Sequence, residues 1–331
     1  MQIPPQYSLT AFHIGTLSKI EANRLLLSGL PSSSHVKEKI QRMSILKSSL
    51  YSARIEGNPL RLEDVEISYD TKHKKEIFNI LDAIKFLEKN SADSQKIDES
   101  LIWQLHERVM DGLTSELGRW RSEMGAIFNQ AGVAVYVSPS PNQLPKLITQ
   151  LLRYANGAVE PFPMVTALIA HLIFEKIHPF LDGNGRVGRL LIQAILKNKN
   201  VQFPLPIVLE EYLDGHKDGY YHALEIGLRD TSAYLSYMLE AVLVQSEKLK
   251  NELLNQTQQK DQWLLPPRQE EIVNVIRDHG DVTFDFIRRR FLRVPARTLR
   301  YDMKKLAEKG IIVKIGSTRG SFYRLKQKVS T

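Results

Sequence analysis

The 331-residue chain contains no cysteine. Disulfides, thiolate metal sites and thiol nucleophiles are therefore excluded, and the composition suits a reducing cytosol. Long apolar runs are missing too. The longest, Val165 to Ile177, is interrupted by His171, Glu175 and Lys176, short of the ~18 clean residues a membrane span needs. The N-terminus, MQIPPQYSLTAFHIG, has neither a basic region nor an apolar h-region, so nothing in it directs secretion. These absences predict a soluble, cytoplasmic protein with no membrane partner. The length predicts about two domains at ~150 residues each.

Excess charge is absent from most of the chain. Residues 1–263 hold 29 Lys+Arg and 30 Asp+Glu, a net of −1, whereas Leu264 to Thr331 holds 16 against 7, a net of +9. Charge confined to so small a segment is the usual electrostatic footprint of a nucleic-acid module.

Up to residue 263 the pattern is helical, because apolar residues recur three and four apart and Gly or Pro falls between the periodic stretches. Ile77, Leu81, Ile84 and Leu87 form one face, Ile102, Leu105 and Val109 another, and Leu168, Leu172 and Ile173 a third. One exception is Met124 to Val137, where apolar residues flank Asn129-Gln130-Ala131-Gly132 and predict a small β-hairpin. Ser138-Pro139-Ser140-Pro141 then predicts an extended connector. Polar Lys250 to Gln262 reads as a linker. The predicted fold class is all-α with one β-hairpin, followed by a terminal segment of three helices and a glycine-tipped hairpin.

That terminal segment resembles the winged helix-turn-helix family. In ARTLRYDMKKLAEKG, Leu299, Met303 and Leu306 form an inward stripe, leaving Arg297, Thr298, Arg300, Tyr301 and Lys304, with Arg319 in the hairpin tip, to meet DNA. A protein-binding or dimerisation module on the same fold is the alternative.

The chemistry concentrates in His178-Pro179-Phe180-Leu181-Asp182-Gly183-Asn184-Gly185-Arg186-Val187-Gly188-Arg189. Pro179 has no amide and ends the apolar helix before it, leaving the His178 imidazole at the helix edge. Small residues before the next helix turn free amides toward one point, which with the helix dipole makes a phosphate site. Arg186 and Arg189, three apart, can fork onto phosphate oxygens, and Asp182 is the kind of hard carboxylate that Mg²⁺ accepts beside phosphates. The glycines also fit GxGxxG, but that fingerprint requires a preceding strand, and the preceding run is helical. Walker A lacks its Lys-Ser/Thr pair. An ordinary helix-turn-helix corner requires neither His-Pro-Phe nor the paired arginines.

HPFLDGNGRVGR matches the full signature of the Fic (filamentation induced by cyclic AMP) family, and the likeness extends over roughly residues 40–245. The resemblance implies a protein adenylyltransferase moving AMP from ATP to a Tyr, Ser or Thr hydroxyl of a target protein or of the chain itself. In that family pattern His178 is the general base, Asp182 holds Mg²⁺, and Gly183, Asn184, Gly185, Arg186, Val187, Gly188 and Arg189 hold the phosphates, with Arg189 at the γ-phosphate. The hairpin resembles the flap that aligns a target segment. Tyr220 and Tyr221 are expected to wall the adenine pocket. Ser52-Ala53-Arg54-Ile55-Glu56-Gly57 resembles the Ser-x-x-x-Glu-Gly inhibitory helix, which implies that Glu56 pairs with Arg189 and blocks the γ-phosphate. Gly57-Asn58-Pro59 also serves as a plain helix stop.

The expected division is an N-terminal helical region (1–100) carrying the inhibitory motif, a core (101–245), a linker (246–263) and a winged helix domain (264–331). A DNA-binding regulator with a nucleotide-sensing pocket, removal of AMP as the reverse reaction, and a homodimer remain open at the level of sequence.

Overall fold

The computed structural model describes residues 1–30, 34–67, 71–89, 96–128, 134–261, 265–316 and 321–326. It divides into two compact units, residues 1–257 and 258–331.

The first unit is helical: α1 (Ala11–Gly29), α2 (Ser34–Ile55), α3 (Asp64–Ile67), α4 (Thr71–Lys89) and α5 (Glu99–Met110) precede a hairpin of β1 (Ala126–Phe128) and β2 (Ala134–Val137). A 3₁₀ turn over Pro141–Gln143 leads into α6 (Leu144–Asn156), α7 (Pro163–Ile177) and α8 (Asn184–Asn198). The unit continues with α9 (Leu209–Gly215), α10 (Lys217–Ile226) and α11 (Thr231–Asp261). The central element is α7. Pro163 starts it, where a missing amide costs nothing, and every residue from Met164 to Ile177 is buried. A helix apolar all round belongs inside a domain, and α6 and α8 pack against it. The expected faces hold, since Ile77, Ile84, Leu87, Ile102, Leu105 and Val109 are all buried.

The hairpin forms where the alternation predicted it, antiparallel, with Ala126 opposite Val137 and Ile127 opposite Tyr136. Its turn, including Asn129 and Gly132, lies outside the described residues. The sequence Lys250 to Gln262, read as a linker, is helical through Asp261 as the end of α11, and Leu253 in it is fully buried. Lys, Asn, Glu, Leu and Gln follow one another there with no Gly or Pro, so nothing stops the helix.

The second unit contains α12 (Pro267–His279), β3 (Val282–Thr283), α13 (Phe284–Arg290), α14 (Ala296–Glu308), β4 (Ile312–Ile315) and β5 (Phe322–Leu325). Its strands form an antiparallel sheet in the order β3-β5-β4. It has its own core, in which Leu299, Met303 and Leu306 of α14 join Ile272, Ile276, Ile287 and Ile312. The opposite face of α14 exposes Arg297, Arg300, Tyr301 and Lys304, with Thr298 half-buried. Arg300 lies 4.6 Å over the Phe284 ring, and Lys304 pairs with Glu308 at 3.9 Å. Arg319 lies outside the described residues.

Candidate active site

The site is built on the turn between α7 and α8. Pro179 cannot continue α7, and His178 closes the helix in the left-handed region, φ 49°, ψ 61°, with its amide donating to the Phe174 carbonyl at 2.9 Å. Few non-glycine residues adopt this conformation. Phe180 pins the turn from below: it is fully buried, stacked on His106 at 3.7 Å and tilted against Trp120 at 4.9 Å. His106 Nε2–H donates to the Asp182 carbonyl at 3.1 Å, while the Gly118 amide donates to its Nδ1 at 3.1 Å. Burial pushes the His106 pKa down to about 4, so it braces the loop as a neutral ring.

At the start of α8 the backbone amides of Asn184, Gly185 and Arg186 have no helical carbonyl to reach, and Gly183, φ 80°, offers no side-chain cap. These free amides are the groups that could bind an anion at this helix start. Arg186 Nη2 bonds Asp182 Oδ1 at 2.9 Å, whereas its buried Nε has no partner. Three expectations change here. The Asn184 side chain, expected at the phosphates, instead braces the turn, accepting from the Phe180 amide at 2.9 Å and donating to the Phe180 carbonyl at 2.8 Å. The Val187 amide is taken by the Gly183 carbonyl at 3.0 Å, and its side chain is core. Gly188 faces α7, where a Cβ would come within 2.1 Å of Glu175 Oε1 and 3.2 Å of Phe174, so its smallness serves helix packing.

Arg189 is the buried charge of the site. Its Nη2 donates to Glu56 Oε1 at 2.9 Å and to the Ser52 carbonyl at 2.9 Å, and its Nε to Ser52 Oγ at 3.0 Å. The guanidinium side chain is 1% exposed and the Glu56 side chain 34%. Burial alone would lower the Arg189 pKa, but Glu56 and other facing groups outweigh it and hold it above the ordinary value. Glu56 is placed by the end of α2. Gly57 at φ +100° turns the chain out of the helix, so the helix-stop reading of Gly57 holds as well. Tyr221 Oη donates to the Ile55 carbonyl at 3.0 Å, Lys217 donates to the Arg54 carbonyl, and Arg54 pairs with Asp214 at 3.1 Å. Glu56 Oε1 also lies against the start of α8, since a Cβ on Gly185 would approach it to 2.3 Å. The Glu56 carboxylate thus lies between Arg189 and the first turn of α8.

Tyr220 differs from expectation. It is 1% exposed and donates to His171 Nε2 at 3.1 Å, while His171 Nδ1–H donates to Tyr234 Oη at 2.7 Å. Buried in this relay, it has no face left for an adenine, whereas Tyr221 is 43% exposed. Glu175 lies beside the relay with its Oε1 3.6 Å from His171 Nε2 but without a hydrogen bond, and burial raises its pKa to about 8.

Sequence reading passed over Arg121. Its side chain, 3% exposed, donates to the backbone carbonyls of His178, Glu123 and Pro139. The only sequence signal is an arginine in a short loop, 57 residues from His178.

Residues 96–196 match the model of the Fic/DOC family. Over that stretch, about a third of its length, the chain is similar to the Fic/DOC family. Among curated proteins, the chain is 28% identical over 224 residues to the protein adenylyltransferase Fic of Drosophila yakuba, an alignment covering 63% of this chain and 42% of that protein. The Drosophila melanogaster protein of the same name is 27% identical over 224 residues, with 63% and 43% covered. The chain thus spans about two fifths of the length of the curated relatives it matches. Among solved structures, a Fic family protein from Desulfovibrio desulfuricans G20 superposes over 99% of both chains with a TM-score of 0.74 at 22% identity. Fic-1 from C. elegans covers 76% of this chain and 74% of its own at TM-score 0.61, also 22% identical. These superpositions establish a common fold, mostly helical, as the sequence predicted.

Proposed function

We propose that the protein transfers AMP from ATP to a Tyr, Ser or Thr hydroxyl of a target protein or of itself, and that Glu56 holds it largely inactive. The observation that carries the reading is the pairing of Glu56 with Arg189 at the mouth of an anion cradle beside His178. His178 Nε2 accepts the proton of the target hydroxyl as its oxygen bonds to the α-phosphorus. The bond from that phosphorus to the bridging oxygen breaks, and pyrophosphate leaves. Burial lowers the His178 pKa first of all, and the Arg121 charge lowers it further, so the ring is in its base form at neutral pH. The amides of Asn184 to Arg186 stabilise charge on the phosphates, and the unpartnered Arg186 Nε suits the same anion. Arg189 takes the γ-phosphate once Glu56 leaves. Tyr221 is the remaining adenine wall.

Asp182 fits Mg²⁺ as one exposed carboxylate beside the cradle. No cluster of three His, Asp or Glu side chains able to hold a metal occurs among the described residues, so phosphate oxygens and water would complete the shell. Bound there, the ion would neutralise phosphate charge.

Incubation with ATP labelled at the α-phosphate, against ATP labelled at the γ-phosphate, tests the reading. Label that becomes covalent on protein from the α position alone is expected. Nucleotide binding without covalent label would favour the sensor, and loss of label from premodified protein would favour removal of AMP.

A second reading concerns residues 258–331, which we take as a winged helix that binds DNA. The exposed Arg297, Arg300, Tyr301 and Lys304 on one face of α14, in a segment of +9, support it. Affinity of the full chain for duplex DNA should fall steeply with salt as counterions are released. Replacing Arg297 and Arg300 by Ala should weaken binding across sequences and lower the slope of log K against log salt by about one for each phosphate no longer neutralised. Binding that ignores salt would sink this reading.

A further inference from the structure

Arg121 joins two parts of the site that meet nowhere near each other in sequence. On one side its Nε donates to the His178 carbonyl at 2.8 Å and its Nη2 to the Ile177 carbonyl at 3.4 Å. These are carbonyls at the C-terminus of α7, which lack helical donors and carry the negative end of the helix dipole. On the other side Nη1 donates to the Glu123 carbonyl at 2.7 Å, and Nη2 to the Pro139 carbonyl. Glu123 precedes β1 and Pro139 follows β2, so these two bonds hold both ends of the hairpin. The Arg121 amide adds a bond to the Pro179 carbonyl at 2.9 Å. Gly125 lets the chain pass over the guanidinium: a Cβ there would stand 3.2 Å from Arg121 Nε.

The planar fork is what makes this possible. A guanidinium has five donors in fixed directions, whereas an ammonium is a point charge. A guanidinium's wide planar fork spans carbonyls on opposite sides that the compact ammonium reaches less well. The turn it holds also needs holding, because His178 sits in a conformation that side chains rarely adopt.

We infer that Arg121 is a positioning residue for adenylyl transfer, locking the hairpin to the His178 turn so that a target segment along the hairpin presents its hydroxyl to the imidazole. This rests on the transferase reading given above. It gives Arg121 two separable effects on His178. The fork sets its place relative to the hairpin. The charge acts on its proton affinity, alongside burial, the Glu175 carbonyl on α7, Glu56 after α2, and Asp182 in the loop.

Arg121→Met and Arg121→Lys, built in the full chain with and without Glu56→Gly, separate the two. The His178 ring is titrated by NMR, and transfer is read as protein-bound label from α-labelled ATP in a lysate of the expression host. In Arg121→Met the removed positive charge should let the imidazole hold its proton to higher pH, and in Arg121→Lys the titration should stay near the parent's. Both should lower transfer about ten- to hundredfold in the Glu56→Gly background, since a displacement of about 1 Å costs that much, with KM for ATP within about twofold. An unchanged His178 titration in Arg121→Met, or undiminished transfer in either variant, overturns the inference. Should Glu56→Gly itself give no label, the transferase reading fails, while the titration still decides whether Arg121 acts on His178. Should Arg121→Met fail to fold, Arg121→Lys carries the test alone, through lost transfer at an unaltered titration.

Discussion

Replacing Glu56 by Gly should raise label transfer from α-labelled ATP by about a hundredfold. The argument turns on which anion Arg189 takes. Its side chain is almost wholly buried, and the Glu56 carboxylate 2.9 Å away is its ionic partner. On the proposed reading that pair, which stands beside Gly185, takes the space of the terminal phosphate. ATP would then enter with its phosphates displaced and the α-phosphorus out of line with a hydroxyl at His178. A displacement of about 1 Å can cost ~10² in rate with little loss of affinity, so the rate should rise more than nucleotide affinity does. The double variant Glu56→Gly, Arg189→Ala should lose the gain. Glu56→Gly should also melt earlier than the parent without nucleotide, because an unpaired buried charge is unfavourable, and ATP should restore its midpoint more than it does the parent's. If transfer stays at the parental rate while removal of AMP from a modified target falls, Glu56 belongs to a hydrolytic step instead.

If His178 is the proposed base, His178→Ala in the Glu56→Gly background should cut transfer by about 10²–10⁴, the usual worth of a placed general base, and leave ATP binding nearly intact, since on that reading the α8 amides and Arg189 hold the phosphates. Calorimetric titration with ATP beside the labelling assay separates the two effects. The pH profile adds a signed check. Burial, then Arg121, lowers the His178 pKa, while Glu56 raises it. Transfer by Glu56→Gly should therefore keep its rate down through the ordinary imidazole range and fail only below it. Transfer by His178→Ala at the Glu56→Gly rate would remove the base assignment.

The helical fold, the hairpin and the turn between α7 and α8 were legible because each follows from local chemistry: period, Pro179, and small residues before a helix. The Ser52–Glu56–Arg189 contact, 137 residues apart at its ends, was legible only through the family resemblance, since neither segment alone indicates the other. The misreadings share one cause. Asn184 beside a phosphate loop looks like a ligand, and only the position of the Phe180 backbone makes it a brace. Tyr220 and Tyr221 are neighbours in sequence, yet the helix turns one into the relay with His171 and the other outward. Arg121 left no trace because its partners are backbone carbonyls, which every residue possesses. The stretch 250–262 was polar enough for a linker, and composition cannot separate a solvated coil from a solvated helix.

The left-handed backbone of His178 has a consequence for how the protein can lose its function. For an ordinary residue this conformation costs about 1–2 kcal/mol, and for glycine almost nothing. Alanine retains the Cβ and the penalty, so His178→Ala should melt close to the parent, whereas His178→Gly should be equally inactive and melt higher. Thermal unfolding of the two variants side by side checks this. Selection for a sturdier fold alone would therefore favour glycine at the position where the proposed chemistry needs an imidazole, and a descendant of this chain that lost that chemistry would gain thermal resistance.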